Sequence, residues 1–299
     1  MRIAITGATG FIGSNVAFRL ARAGHQIVAT GRDHHKVPAL AAVPGLTLAR
    51  GDLRDPSSWD AVLPGCDALV HIALGWGDEP VDMLHADTEA SLRLFDAARR
   101  AGVRTIIYTS STAACGEMAA LNREDMVPRP TDFYGATKAA TEAYLRGFGH
   151  KYGLNVHIIR PGYIFGEPVV EGGRVQADTR FRTICQAVRT GLPVNLVKYD
   201  GTQFLHAQDI AEVYLRLLDH KPSPTLHYAL ARDWVGWDEI ARMAMQETGQ
   251  QVDLVIEDRD YGAEPFLFDV SSIERDFGLS FANRDRLRGH VRWELARPA

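Results

Sequence analysis

Short apolar runs rich in Val, Ile, Leu and Ala recur along the first half of the chain, at 2–6, 26–30, 46–51, 68–73, 105–110 and 155–160. Between them the pattern changes to amphipathic stretches of helical length, at 11–23, 83–100 and 132–151. A strand that is apolar on both alternating faces must be covered on both sides, so this rhythm predicts an α/β chain: a doubly wound parallel sheet with helices on either face. After Pro161 the rhythm loosens. A Gly- and Pro-bearing loop over 162–173 precedes a helix near 180–189, a short strand near 193–197 and a helix after Asp209. A strand over 226–230, a helix over about 237–248, a strand over 253–257 and further helical pieces complete the pattern. This portion is expected to form a smaller C-terminal α/β lobe, part of whose chain returns to the sheet. The division predicted is 1–165 with a return segment of about 200–235 for the main domain, and 166–199 with 236–299 for a substrate lobe. No repeat or low-complexity tract interrupts it.

The first apolar run leads directly into Thr6-Gly7-Ala8-Thr9-Gly10-Phe11-Ile12-Gly13, which opens the first helix. Glycines at a strand-to-helix turn let backbone N–H groups approach a pyrophosphate, and the helix N-terminus adds partial positive charge. The spacing is Gly-x-x-Gly-x-x-Gly rather than the Gly-x-Gly-x-x-Gly of the usual dinucleotide fingerprint. At the end of the second run the chain reads Ala29-Thr30-Gly31-Arg32-Asp33. An acid there would bond the 2′-hydroxyl of NAD, whereas an arginine accommodates the 2′-phosphate of NADP. Glycine in the acid's place and Arg32 beside it favour NADP(H), although Asp33 could swing inward. Asp52, closing the third run, is placed to accept from the adenine amino group.

Composition narrows the class. The 299 residues are 46% hydrophobic and 23% charged, with a net charge of -4, which gives no electrostatic case for nucleic acid. Three scattered cysteines, Cys66, Cys115 and Cys185, fit a reducing compartment better than disulfides or zinc. No apolar stretch is long enough for a membrane span, and the opening strand leaves no room for a signal peptide, so a cytoplasmic location is expected. His34-His35 apart, the histidines lack metal-ligand spacing, and no metal is predicted.

Tyr134 and Lys138, four apart on a predicted helix, share one face. An ammonium near a phenol favours the phenolate, so such a tyrosine can exchange a proton with a hydroxyl near neutral pH. Taken in order with the glycine turn, Gly51-Asp52-Leu53, Thr109-Ser110-Ser111, the Arg160–Gly166 segment (Arg-Pro-Gly-Tyr-Ile-Phe-Gly) and Phe204-Leu205-His206-Ala207-Gln208-Asp209, the chain resembles the extended short-chain dehydrogenases/reductases, the NAD-dependent epimerase/dehydratases. The resemblance covers nearly the whole chain. It implies a Rossmann-type sheet and an oxidoreductase or epimerase acting on a secondary alcohol or carbonyl of a sugar-like molecule. Ser111 would bond the substrate oxygen, with Ser110 as runner-up; Tyr134 would carry the proton; Lys138 would hold the cofactor ribose and lower the Tyr134 pKa. Cofactor contacts are expected from Gly7, Gly10, Phe11, Ile12, Gly13, Arg32, Asp52, Leu53, Ala73, Lys138 and Pro161.

Departures from the family pattern narrow the chemistry. Thr112-Ala113 replaces the Asp-Glu pair of the 4,6-dehydratases, which argues against elimination of water. Thr202-Gln203 stands where many nucleotide-sugar members carry an arginine for the diphosphate, a charge that Arg174, Arg180 or Arg182 could replace. Cys115 stands where a tyrosine is common, and Asp87 where many members have asparagine. Trp76, between two glycines, and Phe204 are the substrate-pocket candidates, with Tyr261 unconstrained; His206 is expected to bond within its own turn. The alternatives are a nucleotide-sugar epimerase with tightly held NAD, or a catalytically silent NADP-binding sensor protein. Apolar and alanine-rich stripes on the helices of about 83–100 and 132–151 suggest a homodimer.

Overall fold

Seven parallel strands build the main sheet, in the computed structural model that describes residues 1–221, 223–259 and 265–298. They are β1 (Arg2–Thr6), β2 (Gln26–Gly31), β3 (Leu46–Arg50), β4 (Ala68–His71), β5 (Thr105–Thr109), β6 (Asn155–Pro161), and, after an excursion, β8 (Thr225–Ala229). Their order is β8-β6-β5-β4-β1-β2-β3, so β1 lies inside the sheet between β4 and β2. That places the glycine turn at the carboxyl edge where the strand order reverses, the usual ligand position of such sheets.

Alternation explains why these strands carry no polar face. Ile3 and Ile5 pack with Ile27, Val70 and Ile107 against α1 (Phe11–Arg22) and α5 (Ala207–Leu217). Ala4 turns the other way with Val28, Leu69 and Ile106, meeting Leu94 and Phe95 of α2 (Ala90–Arg100) and Leu145 of α3 (Phe133–Tyr152). A third core gathers α4 (Arg180–Thr190), α6 (Trp237–Thr248) and α8 (Arg284–Ala296) around a cluster of aromatic rings. A parallel pair, β7 (Val194–Val197) with β9 (Leu254–Glu257), flanks it. A short helix, α7 (Ser271–Phe277), packs on β8.

Two predicted elements differ in their ends by more than one residue. The fourth strand stops at His71 rather than 73, because the Ile72 and Ala73 N–H groups both donate to the Thr6 hydroxyl (3.0 and 3.1 Å) instead of extending the ladder. The helix expected from 83 begins at Pro80 and passes through a π-helical stretch, Leu84–Glu89, before α2. Among the described residues no helix is long and apolar enough to cross a membrane.

Candidate active site

The α1 N-terminus starts at Gly10 with no side-chain cap and no acid in its first turn, leaving its N–H groups available to an anion. Gly7 adopts φ +68°, and a Cβ there would lie 2.8 Å from the Ala73 nitrogen. A Cβ on Gly13 would lie 2.1 Å from the Gly7 carbonyl oxygen. The turn is therefore compressed to a backbone thickness, the cradle that a dinucleotide pyrophosphate requires. It forms the floor of a cleft of about 940 Å³, lined by Gly7, Gly10, Phe11, Ile12 and Gly13.

At one end of the cleft stand Gly31, Arg32, Asp52, Leu53 and Arg54. Gly31 is glycine for a steric reason: a Cβ there would meet the Thr9 hydroxyl at 2.5 Å. Arg32 is exposed and has no ion-pair partner among the described residues. Burial raises the Asp52 carboxyl, but hydrogen bonds from Arg54 and the charges of Arg54 and Arg32 outweigh it and hold the group below its ordinary value. Asp52 is thus an anionic acceptor facing the cleft.

At the other end, Tyr134 and Ala73 line the cleft with Trp76. Asp132 caps α3 by accepting the Gly135 N–H at 2.6 Å, which fixes the first turn that carries Tyr134. Gly135 lets this turn press against the segment after β5, since a Cβ would come within 2.3 Å of the Ala113 carbonyl oxygen. That contact brings Ser111 to the Tyr134 side of the fold. The Ser111 oxygen accepts the Ala113 N–H at 3.1 Å, which leaves its O–H to donate elsewhere. Ser110 is committed: it is 2% exposed and donates to Glu142 Oε1 at 2.5 Å.

Lys138 is buried, not on the cleft wall. Its Nζ lies 3.2 Å from Asp87 Oδ2, 5.2 Å from the Tyr108 ring centroid and 5.6 Å from that of Tyr134. Burial pulls the ammonium down, but the Tyr108 phenol, the Asp87 carboxylate and the Tyr134 phenol push it up by more, so it stays charged. Asp87 Oδ1 also accepts the Gly75 N–H at 3.1 Å, tying the Trp76 loop to the same carboxylate. His71, between the Thr6 hydroxyl (2.6 Å) and Ser91 (2.9 Å), is held neutral by burial first and the Lys138 charge second, down to about 3.

Other expected residues sit differently. Phe204 is fully buried among Tyr163, Phe165, Phe181 and Trp237, with centroids 4.9–6.3 Å away, so it is core and does not line the cleft. Pro161 is buried at the end of β6, and Gly162, Tyr163 and Ile164 line the cleft instead. Trp76 is 65% exposed, its Nε1–H on Asp78 (3.0 Å) and its ring 6.4 Å from Tyr134. Gln203, in place of the diphosphate arginine, is buried and bonds the Ala231 and Phe268 backbones. Of the candidate replacements, Arg180 pairs with Asp178 and Asp200 and covers Trp237, and Arg182 donates to the Pro298 carbonyl. His206 accepts from the Gln208 N–H within its turn and also meets Glu167. Tyr261 lies outside the described residues. Gln176 and Asp178 line the cleft from the segment before α4 without any motif that could have announced them.

Residues 3–231 match the NAD dependent epimerase/dehydratase family. The chain is 29% identical to the UDP-glucose 4-epimerase of Azospirillum brasilense, covering 99% of this chain and 91% of that protein. It is 28% identical to the dTDP-4-dehydro-6-deoxy-D-allose reductase of Streptomyces bikiniensis, covering 90% and 88%. Its fold is similar to that of a UDP-glucose-4-epimerase from Stenotrophomonas maltophila with bound NAD and formylated UDP-arabinopyranose (TM-score 0.84, 21% identity, 99% and 97% coverage). The chain therefore belongs to the NAD dependent epimerase/dehydratase family and is an enzyme of the extended short-chain dehydrogenase/reductase type.

Proposed function

We propose that this enzyme uses NADP(H) to transfer hydride at a secondary alcohol or carbonyl of a sugar-like molecule, with Tyr134 as proton donor and acceptor. The observation that carries the reading is that Tyr134 lines the same cleft as the glycine turn. The Ser111 O–H, which no neighbour uses, points to a donor for the substrate oxygen. A bound nicotinamide supplies or accepts the hydride. In reduction, Tyr134 gives its phenolic proton to the carbonyl oxygen as that oxygen gains charge; in oxidation it takes the hydroxyl proton back. Lys138, kept charged and paired with Asp87, lies behind the cleft wall 5.6 Å from the Tyr134 ring centroid, which supports a role beside the bound ribose. Gly10–Gly13 and Ala73 would hold the pyrophosphate, and Asp52 and Leu53 the adenine.

Preference for NADP(H) is supported by Arg32 and by Thr9, which fills the space that an acid at position 31 would need. The substrate lobe reading is supported by Gln176 and Asp178, and Trp76 offers an aromatic platform. Three unpaired thiols agree with a cytoplasmic location. The epimerase reading with tightly held NAD draws on what the relatives are named for; cofactor exchange separates it, because a reductase must release NADP after each turnover. Tyr134→Phe should lose roughly 10²-fold or more in turnover on a panel of sugars and ketones while NADPH still binds. Undiminished turnover would sink the assignment.

The homodimer is supported by exposed apolar side chains along the helices flanking the cleft: Val81 (60%), Leu84 (46%) and Tyr144 (57%). Light scattering coupled to size exclusion should give twice the 33.0 kDa chain mass. A monomer at all concentrations would remove the dimer from the reading.

A further inference from the structure

Strand β8 closes one edge of the sheet, and its register against β6 puts two histidines on one face: His157 stands opposite Thr225, and Ile159 opposite His227, two residues along. The segment after α5 adds His220 over that face, and α7 adds Asp276. The imidazoles pack together, with centroids 5.7 Å apart for His157–His220 and 5.8 Å for His220–His227, and Phe277 seals both His220 and His227 at 4.9 Å.

What sets this cluster apart is its unmet hydrogen bonding. Buried imidazole nitrogens are normally occupied. Here His157 Nε2, His220 Nε2 and His227 Nδ1 are all buried without a partner among the described residues. His157 and His227 are themselves 0% and 1% exposed. One hydrogen bond, His227 Nε2 to Asp276 Oδ2 at 3.0 Å, joins imidazole to carboxylate and leaves those nitrogens unmet. One donor atom each from His220, His227 and Asp276 lies within 4.8 Å of the other two.

We propose that His220, His227 and Asp276 bind one divalent transition-metal ion of the zinc class. Two imidazoles and a carboxylate suit zinc and its neighbours, whereas Mg²⁺ and Ca²⁺ prefer all-oxygen shells. Around zinc, with bonds of about 2.0–2.1 Å, ligand atoms stand roughly 3.3 Å apart, so closure takes only small side-chain rotations. Water completes the tetrahedron. Asp276 now takes Arg275 Nε on Oδ1 (2.8 Å) and Arg275 Nη2 on Oδ2 (3.1 Å); it can keep the first while Oδ2 exchanges the second, and its bond to His227, for the ion. His157, its ring tilted against His220, supplies a further imidazole at the margin of the site. None of these residues lines the cofactor cleft, so the ion acts as a staple joining β8, the segment after α5 and α7. The spacing 220, 227, 276 matches no local metal motif, which is why the sequence gives no metal signal.

The test uses untagged full-length protein stripped with a chelator. Co²⁺ is titrated and read by the visible absorption of four-coordinate cobalt, then displaced with Zn²⁺. Saturation at one ion per chain is expected, with a Tm raised by several degrees in Zn²⁺ at about a hundredfold excess over Kd and unchanged in Mg²⁺. His220→Gln and Asp276→Asn should each weaken cobalt binding at least about tenfold. Absence of saturable cobalt absorption in the wild type overturns the site, as does absorption that persists undiminished in the variants. Asp276→Asn keeps the side-chain volume, so it decides the matter if His220→Gln does not fold.

Discussion

Arg160 and Glu142 meet in the interior as a two-pronged pair, Nε to Oε1 at 2.8 Å and Nη2 to Oε2 at 2.6 Å, with both side chains under 5% exposed. Burial would lower the guanidinium, but the Glu142 hydrogen bonds and charge overcome it and hold Arg160 above its ordinary value. Ser110 adds a hydroxyl to the same carboxylate. Glu142→Gln would leave a buried guanidinium without its counter-ion, so it should destabilise the fold by about 3–5 kcal/mol in chemical denaturation. A loss below about 1 kcal/mol would mean that water reaches Arg160. Ser110 serves the pair and Ser111 does not, which supports the proposal of Ser111 as the substrate donor. Arg160 opens a recognisable motif, but nothing in the sequence marks Glu142 as its partner. Lys138 and Asp87 repeat the lesson: the lysine is legible from its spacing to Tyr134, and the carboxylate that holds it is not.

At the scale of elements, the glycine turn is set by contacts that any side chain would violate. Gly13→Ala drives a methyl into the Gly7 carbonyl at the start of α1. It should cost about 1–3 kcal/mol of stability by overpacking and weaken NADPH binding at least about tenfold, read by fluorescence titration beside urea unfolding. Wild-type affinity in a folded Gly13→Ala protein would remove the turn as the pyrophosphate seat. Strands were legible as short apolar runs, and long helices by the amphipathic period of 3.6, both written directly in the chain. The π-helical stretch Leu84–Glu89 was not. It keeps the apolar spacing of a helix while shifting the phase, and within it Asp87 and Thr88 are buried.

For the molecule as a whole, Glu167 joins the sheet portion to the last helix, meeting His206 Nε2 at 3.2 Å and His290 Nδ1 at 3.0 Å. Burial raises its carboxyl, but the hydrogen bonds from His206 and His290 outweigh this and hold it well below the usual carboxylate range. A carboxyl with a depressed folded-state pKa stabilises the fold above its unfolded value, about 4.3, and loses that contribution as pH falls through the folded value. Glu167→Gln should therefore lower stability at neutral pH and flatten the acid limb of a urea-unfolding series taken downward from about pH 5. A parallel acid limb in wild type and variant would exclude this role. Sequence by itself determined the parallel sheet, the cofactor turn and the Tyr134–Lys138 pair, because strand burial, tight turns and helical neighbours are local properties of the chain. Only the tertiary structure decided that Phe204 is core, that Lys138 is anchored by Asp87, that Ser110 is committed to Glu142, and that three distant histidines pack together. Those outcomes depend on which side chains meet across elements far apart in sequence, and no local spacing encodes such meetings.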